Sequence, residues 1–427
     1  MKVALIGSGG REHAIAYKLV DSEKLDKLYI IPGNPGTSKL GDNVEINFND
    51  KDAVLNFSKQ NQIDFVIIGP EKPLVDGLAD VLRKNSISVF GPSASAARIE
   101  SEKSYAKALM KKYKIPTADY VQYNSDQYQE CLDYLSNVSY PKVIKADGLA
   151  AGKGVIICND YLTAQQTIDG IFREKIFGKS GDKIVVEEFL EGQEISVFAI
   201  TDGYDFITLP PSQDHKRIGD NDTGKNTGGM GAYSPVPFIS QKILNDIESK
   251  IISPILKAMA EEKNKFSGCL YCGLMITSQG TKVVEFNCRF GDPETQVVLP
   301  LLEGDLLELL HSAAIGKLNH KSVWYAGGAS VCVIAASKGY PDEYKVGYKI
   351  SGIENIDDPE IVIYHAGTKL SGNKLLTNGG RVLGVTSIIS RNDISEARVK
   401  AYNAIEKIHF TNIYYRKDIA SKAVNKN

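Results

Sequence analysis

The stretch VVEFNCRFGDPE (283–294) carries oxygen ligands at strand spacing. In a strand, residues two apart share a face, so Glu285 and Asn287 project together. Hard oxygen donors of this kind suit Mg²⁺, which also takes substrate phosphates as ligands. Arg289 continues the same face if the strand persists, and there it clamps a carboxylate or phosphoryl group. The competing account is a half-exposed strand with polar residues outward and Val284 and Phe286 toward the core. Asp292 and Pro293 then read as the N-cap and first residue of the next helix.

GLAAGKGV (148–155) has the glycines and lysine of a phosphate loop but not its spacing. A P-loop places four residues between its glycines and follows them with Lys-Ser/Thr. Here three residues separate Gly148 from Gly152, and Gly154 stands where the metal-binding hydroxyl belongs. A glycine-rich hairpin with Lys153 still folds over a triphosphate as a flap, since glycine lets backbone approach phosphate closely. The alternative is a plain β-turn. Lys145, in the apolar strand just before, favours the phosphate site, because an unpaired lysine in a buried strand is costly.

A third phosphate candidate is GSGG, which follows the strand VALI and precedes a helix. The dinucleotide fingerprint needs glycines at positions one, three and six. Gly7 and Gly9 fit, but the sixth place is Glu12, whose carboxylate would repel a pyrophosphate. Backbone N–H groups in GSGG and PGNPG, with a helix N-terminus behind the first, suit a single phosphate instead. The bland account is a pair of tight turns.

Other polar residues carry less. Cys269 and Cys272 form CxxC, but three residues apart in a strand they face opposite ways, so buried strand cysteines are expected rather than zinc. Glu187-Glu188 ends an apolar strand, where a carboxylate or nearby backbone contacts a nucleobase or ribose, or is merely solvated. His13 and His215 lie beside glycine-rich segments and receive no catalytic role.

These groups need elements to position them. Over 1–92, apolar runs at 3–6, 28–31, 64–68 and 87–90 alternate with Gly/Pro turns and amphipathic stretches, including a helical face at Leu74, Leu78, Val81 and Leu82. That alternation implies a parallel sheet, whose ligands lie beyond the carboxyl ends of its strands. A helix over 101–113 stops at Ile115-Pro116. A small α/β unit follows, with strands in PKVIKADG, GVIIC and DKIVVEEFL. The stretch 212–236, rich in Gly, Asp, Asn and Lys, reads as one long working loop. After a helix at 240–263 come the strands CLYCGLMI and VVEFN. From about 327 the chain is β-rich again, in a unit of ordinary domain size.

Bulk properties set limits. The 427 residues suffice for two to four domains. A formal net charge of −2 gives no general attraction to nucleic acid or anionic membrane, so no such partner is expected. Six cysteines, mostly in apolar runs, suggest a reducing compartment rather than a disulfide framework. No apolar run approaches a membrane span, and the residues before GSGG are too few for a signal segment. A cytoplasmic protein, monomeric rather than oligomeric, is the expectation.

Together these segments resemble the ATP-grasp enzymes and, within them, the phosphoribosylamine–glycine ligase family. The identifying runs are GSGGREHA, PGNPGT, GPEKPLVDGLAD, VIKADGLAAGKGV, QDHKR, NTGGMGAYSP and EFNCRFGDPETQ. The match is dense from Met1 to about Leu307 and looser beyond. Two residues depart from the family pattern: Lys225 replaces a usual proline and Asn221 a usual glycine.

The resemblance implies an α/β chain. It implies an N-terminal parallel-sheet (pre-ATP-grasp) domain over 1–100 and central ATP-grasp domains over 101–325, with a smaller lid at 119–190. A β-rich C-terminal domain over 326–427 completes it. The implied reaction joins glycine to 5-phosphoribosylamine at the expense of ATP, with Mg²⁺ or Mn²⁺, in purine biosynthesis. Carried over by position, Lys107 and Lys145 reach the ATP phosphates, and Gly152, Lys153 and Gly154 form the flap. Glu187, Phe189 and Leu190 meet adenine at the hinge, and Glu194 meets the ribose. Glu285 and Asn287 hold the metal. Asp214, Lys216 and Arg289 face glycine and the transferred phosphoryl group, with Thr227, Gly228 and Gly229 lining the same cavity. Gly9, Gly10, Asn34 and Gly36 hold the ribose 5-phosphate. Rival readings are a different ATP-grasp ligase, an NAD-dependent dehydrogenase and a non-catalytic nucleotide-binding module.

Overall fold

The computed structural model describes residues 1–150 and 154–424. The N-terminal strands are β1 (Lys2–Gly7), β2 (Lys27–Pro32), β3 (Asp42–Asn43), β4 (Phe65–Ile68) and β5 (Ser88–Phe90). They pair in parallel in the order β3-β2-β1-β4-β5. The two-residue β3 is polar and leaves no periodic trace in the sequence. Val3, Leu5, Phe65 and Ile67 pack on one face of this sheet, and Ala4, Ile6, Val66 and Ile68 on the other. Burial on both faces is why these strands read as unbroken apolar runs. The single helical stretch expected near 74–82 is two helices, Glu71–Val75 and Leu78–Lys84. They are divided at Gly77, whose φ of +87° is left-handed and suits glycine.

Next come β6 (Tyr120–Asn124), β7 (Lys142–Ala146), β8 (Val155–Cys158) and β9 (Lys183–Glu188), antiparallel in the order β6-β9-β7-β8. With helices Tyr128–Ser136 and Tyr161–Ile168 they enclose a separate core that includes Cys131, Leu135, Ile144 and Ile184. Gly152 and Lys153 of the expected flap lie outside the described residues. Gly154 directly precedes β8, and its carbonyl accepts the Ala146 N–H at 2.8 Å.

β10 (Gln193–Thr201) and β11 (Phe206–Thr208) open the central sheet. The expected long loop at 212–236 is instead a series of short strands: β12 (Gln213–Asp214), β13 (Arg217–Gly219), β14 (Thr223–Asn226) and β15 (Gly231–Ser234). None exceeds four residues, and their pairing is tertiary, so no local period announces them. β16 (Gly268–Thr277) and β17 (Gly280–Asn287) complete the order β11-β10-β16-β17. Cys269 and Cys272 on β16 enter different cores, as their three-residue spacing requires.

The register between β16 and β17 slips beside Gly273: Gly273 faces Glu285, whereas Leu274 faces Val283. Val284 is therefore the extra residue of a β-bulge. The bulge overturns the expected alternation, for Val283 and Phe286 are buried while Val284 is only half-buried. β17 also ends at Asn287, so Arg289 does not continue its face but extends from the turn beyond it. The expected cap at Asp292-Pro293 is corrected as well. The helix begins at Thr295, and the Asp292 carboxylate is drawn to Gln296 Nε2 and Arg381 Nη2, at 2.7 and 3.0 Å.

The remainder holds the hairpin β18 (Leu302–Gly304) and β19 (Val323–Tyr325), then β20 (Ala329–Ser337), β21 (Ile361–His365), β22 (Thr368–Ser371), β23 (Lys374–Thr377), β24 (Arg381–Ile389) and β25 (Ile413–Tyr414). The main sheet runs β12-β15-β20-β24-β21, with β25 also on β20, and helix Ile394–Ile405 packs against it. Two strands from the 212–236 stretch thus extend the C-terminal sheet across the expected boundary at 326. Among the described residues no helix is long and apolar enough to cross a membrane.

Candidate active site

Where the sheets and the small unit converge, the surface opens into two joined cavities of about 790 and 660 Å³. Lys145, Glu187, Asp214, Lys216 and Glu285 line both. The smaller lobe is walled by Val143, Ile157, Phe189, Leu190 and Met275, an apolar slot reached along the β9–β10 connection. The larger lobe is rich in charged side chains and draws on distant parts of the chain, from Arg11 and Glu71 to Tyr340 and Arg381.

At the junction three charged side chains are almost sealed from water. Lys107, Lys145 and Glu187 are 2%, 5% and 3% exposed. Glu187 Oε2 lies 2.9 Å from Lys107 Nζ, and Oε1 lies 3.0 Å from Lys145 Nζ. Lys107 also donates to Thr117 Oγ1, and Lys145 to the carbonyl of the bulged Val284. Both Glu187 carboxylate oxygens are therefore engaged as the counter-charge of two lysines, at the point where the residue lines both lobes. Burial, aided by Lys145 and opposed by Glu187, pushes Lys107 down to about 8. Two ammonium groups sharing one carboxylate leave a net positive point where the lobes meet, suited to an anion.

Beside it stands Lys216, in ion-pair contact with Glu194 and 4.0 Å from Glu285 Oε1. Burial disfavours its charge, but Glu194, Asp214, Tyr271 and Glu285 prevail and hold its pKa well above the usual value. Asp214 moves the other way for a carboxylate. Burial raises it, Lys216 opposes, and Glu294, Glu194 and Glu285 reinforce the rise. Burial also disfavours the Glu285 carboxylate, but Lys216, Lys145, Lys103 and Arg289 outweigh it and keep the group ionised.

Glu285 and Asn287 both face the larger lobe. Their donors are oxygens, and the carboxylate is held anionic, which fits Mg²⁺ or Mn²⁺. Among the described residues no group of three or more His, Cys, Asp or Glu surrounds a common point. The pair thus fits an ion that completes its shell with phosphate oxygens and water, as Mg²⁺ does.

Arg289 reaches the larger lobe with its guanidinium 2.8 Å from Glu100 and 3.3 Å from Glu71. Burial acts against its charge, yet these two carboxylates raise its pKa further. Below it, the Tyr271 hydroxyl lies 2.8 Å from Ser196 Oγ, which donates to Glu294 Oε1 at 3.0 Å. Thr227 and Gly228 line the larger lobe. Thr227 Oγ1 donates to the Lys216 carbonyl at 2.9 Å and accepts the Gly229 N–H at 2.9 Å. At Gly229, with φ +103°, a Cβ would strike Pro293.

The N-terminal turns lie behind this wall rather than on it. The Gly9 N–H donates to Glu12 Oε2 at 2.7 Å, and the Gly36 N–H donates to Asn34 Oδ1 at 2.8 Å. Asn34 Nδ2 donates to the carbonyls of Ser8 and His365. A Cβ on Gly7 or Gly69 would collide with the Glu12 side chain, and one on Gly10 with Gln296. Gly7 and Gly69 therefore make room for Glu12 inside the turn, and Gly10 makes room for Gln296. Neither Gly9 nor Gly36 has its N–H free for a phosphate.

Several lining residues escape the sequence reading, among them Lys103, Arg381 and Tyr340. Lys103 sits one helical turn before Lys107, a spacing that could have revealed it. Arg381 follows Gly-Gly at the start of an apolar strand; it donates to the carbonyls of Gly228 and Asp292. Tyr340 accepts the Gly228 N–H at 2.9 Å and has no sequence signal. Of the two family departures, Asn221 adopts φ +56°, ψ +33°, a left-handed geometry natural to glycine and tolerated by asparagine. Lys225 pairs with Asp342 at 2.7 Å on the surface.

Comparison with known proteins agrees with this architecture. Models of the phosphoribosylglycinamide synthetase N domain, ATP-grasp (A) domain and C domain match residues 1–100, 101–295 and 330–422. A phosphoribosylamine–glycine ligase of Caldanaerobacter subterraneus subsp. tengcongensis is 47% identical over 99% of this chain and 100% of its own length. One from Clostridium acetobutylicum is 45% identical over 98% and 99%. The crystal structure of phosphoribosylamine–glycine ligase from Thermotoga maritima superposes with a TM-score of 0.85 at 34% identity, covering 98% of this chain and 100% of that one. A biotin carboxylase from Campylobacter jejuni, at 14% identity and TM-score 0.73 over 97% and 92% of the chains, shares the fold. The chain belongs to the phosphoribosylglycinamide synthetase family.

Proposed function

We infer that this chain is an ATP-dependent ligase that joins glycine to 5-phosphoribosylamine, releasing ADP and phosphate, in purine biosynthesis. The observation that carries this reading is the junction of an apolar slot with a chamber rich in charged side chains at Lys107, Lys145, Lys216 and Glu285. ATP would lie with adenine among Val143, Ile157 and Leu190 and its phosphates against the lysines. Glu285 and Asn287 would hold Mg²⁺ or Mn²⁺ there, supplying charge neutralisation of the phosphates.

Phosphoryl transfer needs positioning and charge neutralisation more than covalent help. In this reading Arg289 and Lys216 hold the glycine carboxylate in line with the γ-phosphorus. An oxygen of that carboxylate attacks phosphorus, the bond to the β-phosphate oxygen breaks, and ADP leaves with the electron pair. The amine of phosphoribosylamine then attacks the acyl carbon of glycyl phosphate, inorganic phosphate leaves, and the amine proton passes to water or to a carboxylate of the chamber. The six cysteines are all free and buried, which supports a reducing, cytoplasmic setting.

The test is a coupled assay of ADP release. Release should require both glycine and freshly prepared phosphoribosylamine. Equal release with alanine or bicarbonate in place of glycine would assign the chain to a different carboxylate.

A further inference from the structure

The hairpin β13–β14 walls the smaller lobe through Arg217 and Asp222, and runs on through Asn226 and Thr227, which line both lobes. By itself it is a two-stranded ribbon with an exposed second strand. Such ribbons are marginally stable in water. Beyond the surface pair of Lys225 with Asp342, its ties come from nearly two hundred residues further along the chain.

Arg416 is fully buried. Its guanidinium donates to the Arg217 carbonyl at 3.0 Å and to Asp222 Oδ1 at 2.9 Å, and binds Asp418 through Nε and Nη2 at 2.8 and 2.7 Å. The Asp418 carboxylate in turn accepts the Asn221 N–H at 2.8 Å. Tyr414 Oη donates to the Ile218 carbonyl, and the Lys417 N–H donates to Asp220 Oδ1, each at 2.8 Å. Lys422 pairs with Asp222 and itself lines the smaller lobe. The segment is anchored behind by Tyr402, whose hydroxyl donates to the Arg416 carbonyl and accepts the Ile419 N–H.

We propose that residues 414–422 are a strap that sets the β13–β14 hairpin as a wall of the nucleotide lobe, with Arg416 as its positioning residue. The planar fork of arginine, shared between two carboxylates and a carbonyl, fixes direction as well as distance. Asn221 fits this scheme: its left-handed turn aims the N–H at Asp418. The strap acts on nucleotide binding through the hairpin and touches neither glycine nor the reacting phosphate. The proposal rests on the smaller lobe being the nucleotide pocket. The failure of that premise would be seen separately, as wild-type protein in which saturating ATP leaves amide exchange at 187–194 unchanged.

The test uses the full chain, with Arg416→Met and Arg416→Lys. Amide hydrogen exchange is followed at 217–226, with β16 as an internal reference for global folding. Arg416→Met should speed exchange at 217–226 by about tenfold or more while β16 stays protected. It should raise the KM for ATP by about tenfold with kcat changed less than about threefold, and Arg416→Lys should fall between. Unchanged exchange and KM would overturn the strap. So would exchange that rises equally in β16, which marks a general loss of stability. If Arg416→Met is recovered unfolded, Tyr414→Phe removes one tie outside the buried ion cluster. It should show the same pattern at smaller size, and unchanged hairpin exchange in that variant would also overturn the proposal.

Discussion

The ammonium of Lys107 meets Glu187 Oε2 at 2.9 Å, with neither side chain more than 4% exposed. Placing ions so far from water is expensive, and the pair persists because Lys145 and Thr117 share the load. Among protein groups alone the arrangement is under-neutralised, and a polyanion would complete it.

ATP binding should therefore be coupled to protons. Lys107 titrates near 8, because burial and then Lys145 disfavour its charge. An adjacent triphosphate favours the ammonium and raises that value, so binding takes up protons above pH 8 and ATP affinity falls as pH climbs through 8. Calorimetry at about pH 8.5 in two buffers of different ionisation heat should show the uptake, and it should shrink at about pH 6.5, where Lys107 is already protonated. Equal, buffer-independent heats at both values would contradict it.

Glu187→Gln should destabilise the fold by about 3–5 kcal/mol, since it strands two buried ammonium groups without their counter-charge. Urea unfolding followed by circular dichroism measures this. A loss within about 0.5 kcal/mol, the range of an ordinary surface change, would show that the lysines find other partners.

Gly7→Ala tests the reading of the first glycine turn. The φ of +129° and the collision with the Glu12 side chain should cost about 2–3 kcal/mol. Glu12→Ala in the same protein should recover part of the loss, because the steric conflict is with that side chain. Full additivity of the two changes would argue against it.

Glu285→Ala should lower turnover by at least about 100-fold, the scale of removing one preorganised electrostatic contact. The melting temperature should stay within about 3 °C, since Glu285 is only half-buried and its nearest ion-pair partner is 4.0 Å away. Near-normal activity at saturating magnesium would remove Glu285 from the metal role.

The long apolar strands and the glycine turns were legible because each carries its own local period or punctuation. Glu285 and Asn287 were legible for the same reason, but the bulge at Val284 was not. It depends on the register of β16 against β17, which no window of one strand contains. The counter-charge role of Glu187 stayed hidden because Lys107, Lys145 and Glu187 meet only after three separate segments fold together. The strands within 212–236 are too short to show alternation and exist through partners such as 330–333. Glycine content correctly flagged GSGG as a special turn, yet composition alone could not say whether a phosphate or the chain's own Glu12 occupies it.

The pairing of β15 with β20 has a practical consequence for anyone dividing this polypeptide. A scission near 326 would leave residues 231–234 paired with β12 alone and bare one flank of β20, a ready template for self-association. Severed halves should precipitate unless produced together, and the intact chain should lose these two parts in one cooperative melting step rather than two.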